Sequence, residues 1–293
     1  MQQQHRMETA RFIIQMGVRS VLPLMMLALG LSLDYREVAQ WVRRPLIARG
    51  LLVGLLGVPC FAMLVVAVLP VRPTVAGVVL LAAIAPGAPL LMLPVRRQKG
   101  SMAGALTLAL VLTFTAVVML PLALTVLERL FGFEFRAAVP DVMVRVFVPL
   151  AIATLAGMLV RARAPRVARQ LAPVVLGIFK GAFALVIVLL LVRILPRLPH
   201  IGVWDFVAML VVTVGSAVIG HFAGGKRPED QSLLATAAVY GNPAIVLYVA
   251  QASYPTVDIA PIIVLYILLR AVAQIPFRRW ERRQLRRALG ATT

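Results

Sequence analysis

Ala85-Pro86-Gly87-Ala88-Pro89 and Tyr240-Gly241-Asn242-Pro243 are the two stretches that decide how this chain is read. Each sits part-way along an apolar run long enough to cross a bilayer, and each carries Gly-x-Pro. Proline removes an N–H and crowds the carbonyl four residues back, while glycine tolerates the unwound backbone that results. Freed peptide groups are costly in hydrocarbon, so such a break lasts only against protein or a watery cavity. Asn242 before Pro243 also reads as an N-cap followed by the first residue of a second half-helix. One motif alone reads best as a plain kink. Two of them, in spans running in opposite directions, point to paired discontinuous helices with a polar site at mid-depth.

The rest of the chain supports a membrane setting. Of 293 residues, 61% are hydrophobic and only 14% charged, and the mean hydropathy is +0.94, which excludes both an ordinary soluble domain and a disordered one. A formal charge of +19 would suggest nucleic acid in a soluble protein. Here the basic residues lie between apolar runs, so the charge reads as topology and no nucleic-acid partner is expected. Cys60 has no second cysteine to pair with, and three histidines make no metal cluster. No acid–base pair or serine–histidine arrangement occurs at workable depth, so the chain is not read as an enzyme. Runs such as GLLVGLLG at 50–57 allow close helix contact and lack the Lys-Ser/Thr ending of a phosphate loop.

Nine spans are predicted, at about 12–33, 46–69, 73–95, 101–127, 139–160, 171–195, 203–224, 231–252 and 257–277. The first is too long for a removed signal peptide and lacks its cleavage site. Alternating the connectors puts 19 Lys and Arg on one side and 8 on the other, the larger group including Arg278, Arg279, Arg282, Arg283, Arg286 and Arg287. The positive-inside rule then places the C-terminus in the cytoplasm and the N-terminus outside, in a bacterial-type inner membrane. The basic tail at 279–293 reads either as a helix on anionic lipid or as a solvated stop signal, and the second reading is preferred.

From LMMLALGLSLDYREVAQWVRRP, through the third and fourth spans, to AAVYGNPAIVLYVAQASYP, the chain resembles the bile acid:sodium symporter family. The resemblance implies an all-α polytopic transporter built of inverted repeats, with two discontinuous crossing helices and with core and panel subdomains. Nine spans correspond to that ten-helix plan without its first helix. Residues 1–293 then form one transmembrane domain, with a first repeat at about 11–130 and a second at about 138–278. The core comprises the third, fourth, eighth and ninth spans with the second or seventh, and solute binds between core and panel. Asn242 falls on the family's asparagine near the crossing, Pro86-Gly87 on its proline–glycine opening, and Pro121 on a proline late in the next helix.

The family's sodium ligands fall on residues without side-chain oxygens. Its serine and asparagine at the first break align with Leu91 and Met92, and its hydroxyls in the next helix with Ala105 and Ala109. Its shared glutamate aligns with Ala237, its glutamine before the asparagine with Gly241, and another glutamine with about Gly54. Sodium needs several hard oxygens, which leaves only backbone carbonyls at the breaks. No other cofactor is expected.

Arg270 lies near mid-depth in the ninth span, where its planar fork suits a carboxylate or sulfonate. It reads equally as a structural arginine on freed carbonyls, or as one reaching the cytoplasmic surface. Lys180 reads as snorkelling ahead of an anion contact, and His221 as interfacial ahead of a proton relay. Asp258 reads as a helix-start acid ahead of an entry-site carboxylate. Thr107, Thr113, Thr115, Thr236 and Tyr240 are hydroxyls near the breaks, each weak evidence singly. The solute site is therefore expected at Gly87, Ala88, Pro89, Gly241, Asn242, Pro243, Thr113 and Arg270. The expected function is secondary transport of a small organic anion or amphipathic solute by alternating access. The alternatives are a sodium-independent or proton-linked facilitator or exporter of the same fold, and a non-transporting sensor or assembly subunit.

Overall fold

The structure, a computed structural model, describes residues 23–87, 102–132, 144, 147–194, 201–253 and 259–290. These residues are almost wholly helical and form eleven helices: α1 Pro23–Ser32, α2 Tyr35–Val42, α3 Pro45–Val68, α4 Pro73–Ile84, α5 Met102–Phe131, α6 Val148–Arg163, α7 Pro165–Ile194, α8 Val203–Ala223, α9 Pro228–Val239, α10 Pro243–Ser253 and α11 Ala260–Gly290. Pro45, Pro73, Pro228 and Pro243 each open a helix, where a missing N–H costs nothing because the first turn has no acceptor for it. Among the described residues, α3, α7, α8 and α11 contain stretches long and apolar enough to cross a membrane. A fifth is added if the two arms of α5, bent by 56° between Ala103–Ala116 and Val118–Phe131, count as one span. Pro121 explains that bend, since its ring crowds the carbonyl of residue 117.

Several boundaries differ from the sequence reading. The sixth span begins at Pro165 rather than 171, so Arg166 and Arg169 lie on the helix. The ninth continues unbroken through Pro276 to Gly290, and the basic tail extends that helix as far as it is described. A short amphipathic helix, α2, lies between the first two spans, where its Trp41 ring carries the Arg44 guanidinium at 3.9 Å.

The chain divides into two compact units. One contains α1, α6 and α7. Within it, α1 and α6 approach so closely that a Cβ on Gly157 would lie 2.6 Å from the Leu27 carbonyl, which is packing by small residues rather than by side-chain bulk. The other unit contains α3, α4, α5 and α8 to α11. In it α8 packs mainly along α9, and α4 packs against α10 and α11. Every residue from Val75 to Ala85 is buried, so α4 runs through the middle of this unit. Leu56, Leu64, Val68, Leu122 and Phe222 are exposed, as side chains that meet lipid should be.

Candidate functional site

Both interruptions read from the sequence interrupt helices in the structure. Helix α4 stops at Ile84, and Ala85, Pro86 and Gly87 follow as irregular backbone. Helix α9 stops at Val239, Tyr240 turns extended, and α10 begins at Pro243. The two breaks meet. Pro86 and Gly241 form an antiparallel bridge, and the Asn242 amide donates to the Ala85 carbonyl at 2.7 Å. Each break thus satisfies part of the backbone freed by the other, which is how unwound peptide survives away from water.

Two glycines make this approach work. Gly87 has φ +90°, a left-handed conformation that disfavours side chains, and a Cβ there would lie 2.7 Å from the Thr113 hydroxyl oxygen. That hydroxyl sits 2.7 Å from both the Gly87 and the Ala109 carbonyls, so it ties the first break to α5. A Cβ on Gly241 would lie 2.6 Å from the Ala82 carbonyl and 3.3 Å from an Arg270 terminal nitrogen. The expected residues Gly87, Thr113, Gly241, Asn242, Pro243 and Arg270 therefore gather around one junction. Ala88, Pro89, Leu91, Met92 and Asp258 lie outside the described residues.

Arg270 is 6% exposed, and its guanidinium stacks over the Tyr266 ring at 4.0 Å. Its Nε has no hydrogen-bond partner among the described residues, and no described carboxylate lies within ion-pair distance. Beside it is a cavity of about 20 Å³ lined by Val78, Ala82, Gly241, Pro243, Tyr266 and Arg270, with Val246, Ile263 and Ile267 completing the wall. One turn further along α11, buried Gln274 accepts from Arg278 at 3.1 and 2.7 Å, and Arg278 donates to the Tyr240 hydroxyl at 2.8 Å. Tyr266, Arg270, Gln274 and Arg278 thus form one polar face at spacing four. The sequence reading flagged only Arg270 of these at depth. The spacing of four is visible in the sequence, but Arg278 entered only as a topology charge and Tyr266 and Gln274 were not singled out.

Three of the residues aligned with sodium ligands are packed among apolar side chains as well as being apolar in type. Ala105, Ala109 and Ala237 are buried in one cluster with Leu46, Ile47, Leu108, Leu112, Leu233 and Leu234. Gly54 lies in a π-helical turn, Val53–Gly57, and a Cβ on it would lie 3.2 Å from the Pro86 ring, so this position does face the first break. Thr107 and Thr236 are buried and Thr115 is partly so. Lys180 is exposed on α7. His221 packs among the Phe222, Phe277 and Trp280 rings, with centroids 5.7, 5.8 and 5.2 Å away. Away from the junction, Asp205 is buried at the start of α8 and holds the Arg72 guanidinium and the Arg72 and Gly202 amides.

Residues 20–219 match the model of the sodium bile acid symporter family, a stretch that contains the first break and ends before the second. No curated protein matches the chain.

Proposed function

Because the chain belongs to the sodium bile acid symporter family, we propose that it is a secondary transporter moving a small organic anion or amphipathic solute across the inner membrane by alternating access. The observation that carries this reading is the contact between the two breaks, the Pro86–Gly241 bridge with its Asn242–Ala85 hydrogen bond. Such a junction places irregular backbone and a helix N-terminus beside a cavity, which is the arrangement that recognises polar groups inside a bilayer. The positive end of α10 and the buried Arg270 guanidinium give the junction a preference for negative charge. Asn242, Gly241, Pro243, Gly87, Thr113 and Arg270 form the solute site, with Ala88 and Pro89 continuing it. Nine spans in two inverted repeats, with the C-terminus cytoplasmic, complete the proposal.

Movement in this reading is not driven by sodium at the family's ligand positions. The support is the apolar cluster around Ala105, Ala109 and Ala237, which offers no side-chain oxygen to a hard cation. A sodium-independent or proton-linked facilitator or exporter follows.

Uptake into proteoliposomes, with and without an inward sodium gradient, tests both parts. Anion uptake at equal rates in the two conditions is the expected result, and a tenfold or greater stimulation by the gradient ends the sodium-independent reading. Asn242→Ala is expected to lower uptake by about tenfold, the cost of one lost hydrogen bond to a charged group, while insertion into the membrane is unchanged. Full uptake by a properly inserted Asn242→Ala protein removes Asn242 from the site.

A further inference from the structure

The polar face of α11 is short of acceptors. Arg270 Nε, the Tyr266 hydroxyl and Gln274 Nε2 lie on successive turns, all three are buried, and none has a hydrogen-bond partner among the described residues. The Gln274 orientation is fixed chemically. Arg278 can only donate, so the atom it contacts is the carboxamide oxygen, and the NH2 group is a donor left over. A guanidinium stays charged at any ordinary pH, and a buried charge without a counter-charge is among the costliest features a protein can hold. The Tyr266 ring offsets part of that cost through its π face but accepts none of the in-plane N–H groups.

The cavity that Arg270 and Tyr266 line is about 20 Å³, which is room for one water-sized species. Its wall also includes Gly241 and Pro243, at the positive end of α10. The Arg270 charge, Tyr266 and a helix N-terminus therefore line one part of a small space whose remaining wall, Val78, Ala82, Val246, Ile263 and Ile267, is apolar. We propose that this cavity holds a resident monatomic anion of the halide class, which neutralises Arg270 and which the anionic group of an arriving solute displaces. Binding of the ion rests on the geometry alone. Only the displacement step rests on the transporter reading.

The test uses the full-length protein in detergent, with melting followed in sodium chloride against sodium gluconate at constant sodium and ionic strength. Wild type is expected to show a melting temperature that rises with chloride and saturates. In Tyr266→Phe the chloride concentration for half the rise should increase about tenfold, as expected for one lost hydrogen bond to an ion. Arg270→Gln should lose the response, and Arg279→Gln, at an exposed position, should keep it. A flat wild-type response overturns the proposal, as does a saturable rise that persists in Arg270→Gln. Should Arg270→Gln fail to fold, an unchanged half-point in Tyr266→Phe overturns it instead. Proteoliposome uptake of an organic anion separates the two readings: uptake without any chloride response removes the halide and leaves the transporter, while a chloride response without uptake does the reverse.

Discussion

Two regions of the larger unit differ in almost every physical respect. Ala105, Ala109 and Ala237 are buried in a hydrophobic cluster with leucine and isoleucine side chains. Along α11, Tyr266, Arg270 and Gln274 are equally buried but polar and under-satisfied. The resemblance to sodium symporters puts cation ligands in the first region, and the chain has closed that region with methyl and leucine side chains. The cation it does hold inside is its own, in the second. In the proposed reading, the junction offers positive donors to a negative ion where the resemblance would place oxygens around a positive one, so the difference teaches that burial close to one pair of breaks can carry either polarity.

The sharpest way to break this comparison is Ala237→Glu, which returns a carboxylate to the position the family gives to its shared ligand. A buried charge without a partner costs about 3–5 kcal/mol, so a large fall in melting temperature is expected in detergent, independent of sodium. Restoration of stability by millimolar sodium would mean that the apolar cluster is a cation site lacking one oxygen, and the contrast between the two regions would vanish.

Next in size is Gly87→Ala, which probes the frame both regions share. The left-handed backbone at φ +90° disfavours a side chain, and the added methyl also presses on Thr113. Strain of this kind costs about 1–3 kcal/mol. Melting and uptake should both decline, with the chloride half-point unchanged, since Gly87 does not line the Arg270 cavity. A shifted half-point would show that the two breaks act as a single element.

How far the sequence carries a reader differs between these features. Gly-x-Pro located both breaks because the chemistry is local: a missing N–H and a glycine mark the place whatever surrounds them. Arg270 was visible for a similar reason, since a charge about 13 residues into an apolar run has few places to go. Their meeting was not legible, because the Pro86–Gly241 bridge joins residues far apart in the chain and depends on how helices cross. Tyr266 and Gln274 were missed because a neutral polar residue on a membrane helix gains meaning only once its face is known. The π-helical turn at Val53–Gly57 gave no sequence warning beyond its glycines, which read equally well as ordinary close packing. Arg278 was counted with the tail because its number on the chain says end of span, whereas its guanidinium turns back to Tyr240 and Gln274.

That inward turn gives the smallest and most discriminating prediction. Tyr240→Phe removes one acceptor from Arg278 and keeps the ring, whose centroid lies 5.8 Å from the guanidinium. Arg278 is only half-buried, and it retains two bonds to Gln274, so water can replace the lost hydroxyl. The expected loss of stability is about 0.5 kcal/mol, at the low end for a hydrogen bond, and is read as a melting shift of a degree or two. The Gln274 carboxamide should stay oriented by Arg278, its NH2 should remain a donor, and the chloride response should be unchanged. A Tyr240→Phe protein that loses that response would mean that Tyr240 is the hinge through which the second break holds the whole polar face of α11 in register. The difference between the two regions would then reside in the break rather than in the helix.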